Sequence, residues 1–189
     1  MENKTRLTTR TIVFAALMAA LTAVGSALRI TVPLDIAGTT SFHLGNIFCA
    51  LSGILLGPWV GSLAAGLGSA LYDMFNPAYI SEAWMTFLMK GAYGLAAGLV
   101  AVIGQKEAGY MKSALATAAG AITYAALYLA KSYFYGGLLI SGLTPDAAWL
   151  TVLGKLPATI FNAVVALIFA PVLAVAIQTA LKKNHFSLE

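Results

Sequence analysis

Apolar residues fall in long unbroken runs, separated by short clusters of glycine, proline and charge, over 9–29, 41–56, 59–75, 82–103, 113–135 and 149–181. A helical membrane span needs about 20 such residues, whereas the strands of a membrane barrel alternate apolar and polar positions. The pattern therefore predicts an all-α integral membrane protein, a bundle of six transmembrane helices forming one domain over 1–189. Threonines precede the first run and supply a helix cap. Thr144-Pro145-Asp146 opens the last helix with a capping hydroxyl, a first-turn proline and an early acid. Pro157 and Pro171 are the expected bends within it.

The second and third runs form one unit. They meet at Gly57-Pro58, and their polar residues cluster at the far ends, with His43 and Asn46 at one and Asp73 and Asn76 at the other. A turn at Gly57 brings both polar ends to the same side of the bilayer, as half of a pocket. The segments 30–40, 76–81 and 136–144 carry proline, aspartate or glycine and read as loops, and 104–112 as a polar loop.

Small residues mark the packing faces. Ala15, Ala19, Ala23 and Ala27 recur every four residues on the first run, flanked by Ala16 and Ala20. Such a ridge lets another helix approach closely, either within the chain or across a subunit interface. Gly61, Ala65, Ser69 and Asp73 form a similar stripe, and Gly94 and Gly98 a small pair.

Composition agrees with the pattern: the 189 residues are 60% hydrophobic and 10% charged, with a mean hydropathy of +0.85. Soluble domains are nearer ~25% charged. The basic N-terminus and first run lack a convincing cleavage site, so that run is expected to be a retained span. Six spans put both termini on one side, together with Lys4, Arg6, Arg10, Lys106, Lys112, Lys182 and Lys183. The positive-inside rule makes that side the cytoplasm of a cell-membrane protein. The net charge of +4 is scattered over termini, loops and helices, so no nucleic-acid partner is expected.

The remaining cations, Arg29, Lys90, Lys131 and Lys155, lie near or within spans, all in the outer half. A lysine at the centre of a span costs about 2.5–3.5 kcal/mol on insertion scales, so each needs a reason. Arg29 and Lys131 are close enough to a helix end to snorkel. Asp73 is placed to pair with Lys90 or to face a ligand. Tyr124, Tyr128, Lys131 and Tyr135 share one helical face; Thr86, Lys90 and Tyr93 share another; Lys155, Thr159 and Asn162 a third. With His43, Asn46 and Asp73 these predict one outward-facing volume. Tyrosine faces would stack on a flat ring there, while lysine, asparagine and histidine fix its orientation. The candidate substrate-binding residues are Lys155, Asn162, Lys90, Tyr128, Lys131, Tyr124, Asn46, His43, Asp73 and Tyr93. His43 is equally placed to cap a helix, and Cys49 to pack in the core.

Other chemistry lacks its residues. The chain has no Gly-x-x-x-x-Gly-Lys-[Ser/Thr] phosphate loop. Its two histidines and scattered acids offer no metal cluster, and no nucleophile motif accompanies His43. Neither a cofactor nor a metal is expected, and the inventory favours holding a molecule over transforming it. A small membrane enzyme and a structural or assembly protein are the alternatives.

The stretches NIFCALSGILLGPWVGSLAAGLGSALYD, TFLMKGAYGLAAGL and GKLPATIFNAVVALIFAPVL, in that order behind an alanine ridge, resemble the substrate-binding S components of energy-coupling factor (ECF) vitamin transporters. The riboflavin-type branch is the nearest likeness. The resemblance implies a subunit that captures a water-soluble vitamin from outside and works with a membrane coupling subunit and two ATPase subunits. It also implies that Ala15, Ala19 and Ala23 dock the coupling subunit, and that 30–40 and 136–144 gate the pocket. Riboflavin is the default ligand it suggests; pyridoxine-type vitamers, pantothenate, cobalamin and queuosine precursors stay open. The tyrosines and excess of cations favour a planar ligand with oxygen acceptors or a negative group.

Overall fold

A computed structural model describes residues 8–34, 39–105 and 108–184. Lys4, Arg6, Asp35, Gly38 and Lys106, all used in the reading above, lie outside them. Helix α1 (Thr9–Ala27) starts where Thr8 caps it, its hydroxyl accepting from the Thr11 amide at 3.2 Å. The chain then turns to strand. β1 (Arg29–Pro33) pairs antiparallel with β2 (Thr39–His43), in a register that sets Arg29 opposite His43 and Thr31 opposite Ser41. This corrects the loop expected over 30–40. Ile30, Thr31, Val32, Thr39 and Thr40 are β-branched, and each strand satisfies the other's backbone at the end of the bundle.

Helix α2 (Gly45–Met74) begins four residues later than expected, because 41–43 belong to β2. It breaks at Gly57, whose φ of 74° and ψ of −179° suit glycine alone. The two arms, 45–56 and 58–74, fold back on each other. Cys49 Sγ stands 3.7 Å from Ser69 Oγ, whereas 20 residues of straight helix would separate them by about 30 Å. A Cβ on Gly61 would lie 2.3 Å from the Ser52 carbonyl oxygen, which measures how closely the arms approach.

A 3-10 turn at Ile80–Glu82 leads into α3 (Ala83–Val102), and α4 (Tyr110–Lys131) continues directly into wide π-helical turns over Ser132–Ile140. Helical backbone thus replaces the first part of the loop expected over 136–144. α5 (Pro145–Lys183) is continuous through Pro157 and Pro171, and Thr144 caps it by accepting from the Ala147 amide. Among the described residues, five helices are long and apolar enough to cross a membrane, one of them the folded α2. Backbone approach binds the hairpin to α3: a Cβ on Gly53 would meet the Gly94 carbonyl at 2.3 Å, and one on Gly98 would meet Pro58. Such small-residue contacts are how membrane helices associate closely.

The alanine ridge of α1 is used partly inside the chain. Ala19 is buried, its carbonyl oxygen 2.2 Å from where a Cβ on Gly68 would stand, and Ala15 packs on the core. Of Ala15, Ala19 and Ala23, to which the resemblance assigns docking, Ala19 is thus turned mostly inward. Ala16 and Ala20, on the neighbouring face, are exposed, and Ala23 is half-buried.

A basic, tyrosine-lined cavity at one end of the bundle

The end of α1, the end of α2, the start of α3, the end of α4 and the first half of α5 converge beneath the β-hairpin. They enclose a cavity of about 290 Å³, close to the lower edge of the ~300–1,000 Å³ typical of small-molecule sites. Lys90, Tyr124, Tyr128, Lys131, Lys155, Asn162, His43 and Asp73 all line it. The helical members share the volume because each lies on the inward stripe of its helix, and His43 joins them from the end of β2.

Their partners differ from the simplest expectation. Lys90, on α3, is buried, donates to Asn46 Oδ1 and lies over the Tyr124 ring at 3.8 Å. No ion pair joins it to Asp73 among the described residues; the ion pair there is Lys131 with Glu82. Lys131 is therefore held across the cavity mouth by an acid on the turn before α3, where snorkelling was one expectation. Tyr124 and Tyr128 stack at 5.6 Å with their planes 16° apart, forming a flat wall.

Asn162 spends one acceptor and one donor on the protein. Its Oδ1 accepts from the His43 amide at 2.9 Å, and its Nδ2 donates to the Ser41 carbonyl at 2.8 Å. Phe161, its neighbour, meets Phe42 edge-to-face at 5.1 Å. Asn162 thus pins β2 to α5 while lining the cavity. His43 Nδ1 accepts from the Gly45 amide at 3.2 Å, a local cap at the start of α2. Asn46 and Tyr93 stand behind the wall. Asn46 reaches the cavity through Lys90, and the Tyr93 ring tilts against Tyr124 at 6.2 Å, its hydroxyl buried without a hydrogen-bond partner.

Several wall residues escaped the sequence reading. Arg29 donates from Nε to the Ser26 carbonyl at 2.7 Å, and its guanidinium lies 4.0 Å from the Tyr72 ring centre and 4.9 Å from that of Tyr79. It lines the cavity, contrary to the expectation that it merely snorkels. Tyr79, Glu82, Ser132 and the strand residues Thr40 and Ser41 also contribute. A lone charge next to a span, near a tyrosine in the following loop, was the available signal for Arg29 and Tyr79. No group of metal-ligating side chains occurs among the described residues. A second, almost wholly apolar groove runs between Leu129, Tyr133, Trp149 and Leu153 on the outer faces of α4 and α5.

The chain has relatives that match this architecture. A curated protein from Pyrococcus woesei, described as an uncharacterized protein in gap 3'region, is 31% identical over 118 residues, covering 62% of this chain and 74% of its own. The solved S component for biotin from an ECF-type ABC transporter has the same fold, with a TM-score of 0.58 over 87% of this chain and 90% of that one at 14% identity. The model of the family described as ECF-type riboflavin transporter, S component, matches residues 6–179. With the match extending over nearly the whole chain, the protein belongs to the ECF-type riboflavin transporter S-component family.

Proposed function

We propose that this chain captures a water-soluble vitamin or related micronutrient from outside the cell and delivers it to an ECF module for ATP-driven uptake. In this reading the bundle crosses the cell membrane six times, counting the arms of α2 separately. Both termini are cytoplasmic and the β-hairpin faces outward. The cavity carries the proposal. Arg29, Lys90, Lys131 and Lys155 are turned inward with stacked tyrosines, an arrangement that costs insertion energy and that a purely structural bundle does not need. Binding is the proposed role because cations, hydroxyls and tyrosines from several elements converge on one cavity.

Riboflavin is the family's default ligand, and pyridoxine-type vitamers, pantothenate, cobalamin and queuosine precursors stay open. The partners are a membrane coupling subunit and two ATPase subunits, docked on the exposed face of α1 at Ala16 and Ala20. Copurification with that module tests the assignment. Ala20→Trp is expected to leave ligand binding within about twofold of the parent while weakening association with the module at least tenfold, since a bulky side chain blocks close helix approach. Undiminished association of that variant would remove the docking face, and no association of the parent would contradict the transport role.

A further inference from the structure

The end of the cavity formed by α5 and the π-helical turns has an unusual balance of hydrogen-bonding groups. Its hydroxyl protons are already spent on backbone carbonyls. Ser132 donates to Tyr128 O at 2.8 Å, Thr151 to Ala147 O at 3.2 Å and Thr159 to Lys155 O at 2.9 Å. What remains from those three is acceptor capacity alone. Lys155 supplies the donors. Its Nζ gives one N–H to Ser132 Oγ at 3.3 Å and lies 5.6 Å from the Tyr128 ring centre, which leaves further ammonium protons for a ligand.

The charges favour an anion beside Lys155. Lys131 is neutralised by Glu82, whereas Lys155 forms no ion pair among the described residues. Arg29, Lys90 and Lys155 therefore face the cavity with Asp73 as the one lining acid outside an ion pair. A cation withdrawn from water without an anionic partner is costly, and a bound anion removes that cost.

We infer that Lys155, held by Ser132 against the Tyr128 face, is the anchor for an anionic group of the ligand, a carboxylate or a phosphate. The inference rests on the capture reading and names the charge of the substrate class it takes. The ammonium donates to the anion, while the Tyr124–Tyr128 wall takes the flat or apolar remainder of the molecule.

Matched pairs of compounds test this on the full chain purified in detergent, by titration calorimetry. The pairs are pantothenate with its alcohol, nicotinate with its amide, and pyridoxine 5'-phosphate with pyridoxine. The expected result is that at least one anionic member binds about 10- to 100-fold more tightly than its neutral partner. Lys155→Met should remove that preference and leave the neutral compound's affinity within a few-fold, whereas Lys155→Arg should keep most of it. Equal affinity for charged and neutral members, or a preference that survives Lys155→Met, overturns the anion anchor and leaves the capture reading standing. Failure of every anionic member to bind overturns the anion anchor and leaves the capture reading to riboflavin and the other vitamers outside these pairs. Comparison within a pair on the unaltered protein does not depend on any variant folding.

Discussion

Gly61→Leu is expected to unfold the protein at temperatures the parent tolerates. The new Cβ would stand 2.3 Å from the Ser52 carbonyl oxygen and 2.6 Å from Gly53 Cα, both backbone atoms that no rotamer change can move aside. The arms of α2 would have to separate, and with them the Gly53 contact with Gly94 that seats α3. Overpacking of a tight core costs about 1–3 kcal/mol and more where backbone must shift, so a loss of at least ~3 kcal/mol is expected. Gly109→Leu is the control: a Cβ there has no neighbour within 4 Å, and its φ of −61° is open to any residue. Thermal unfolding in detergent reads both variants. An unchanged midpoint for Gly61→Leu would mean that the arms do not pack as described.

Asn162→Leu is expected to release the β-hairpin from the bundle without unfolding it. Leucine keeps the volume at a buried position but removes both hydrogen bonds to β2, from the His43 amide and to the Ser41 carbonyl. Two such bonds contribute about 1–3 kcal/mol together. If the hairpin closes the site, affinity falls about 10- to 100-fold, mostly through faster dissociation. Hydrogen exchange separates this positioning role from direct ligand contact. In the ligand-free variant the amides of 29–33 and 39–43 should lose protection while those of α3 keep theirs. Unaltered protection of the strands would leave Asn162 as an ordinary wall residue.

Asn162 also illustrates how far the sequence could be read. Its helical phase with Lys155 and Thr159 places it on the cavity, and it is there. Its partners lie 119 and 121 residues away in the chain, on a strand backbone, and no local pattern names them. The same limit applies to Lys90, whose expected acid partner Asp73 is replaced by Asn46, and to Lys131, which reaches Glu82. Periodicity finds the inward stripe; tertiary register decides which neighbour each charge meets.

The helices themselves were legible because a bilayer demands long apolar runs and satisfied backbone. The β-hairpin was hidden for the opposite reason. Its strands are five residues each, and they are stabilised by each other and by α5. Their polar faces look like loop until the pairing is known. Arg29 was obscured with them, since its place between Tyr72 and Tyr79 depends on where the first strand starts.

The central claim is that the Lys90–Tyr124–Lys155 cavity holds a small water-soluble molecule. Native mass spectrometry of the protein, purified from cells grown in rich medium and released from detergent, tests it without prior choice of compound. A single non-lipid organic ligand in one-to-one ratio is expected, and Lys90→Met should lose it, because that change removes the cation over the Tyr124 face and the partner of Asn46. Protein that carries no such ligand under any growth condition and takes up none from an added vitamin mixture would contradict the account. So would a ligand retained unchanged by Lys90→Met.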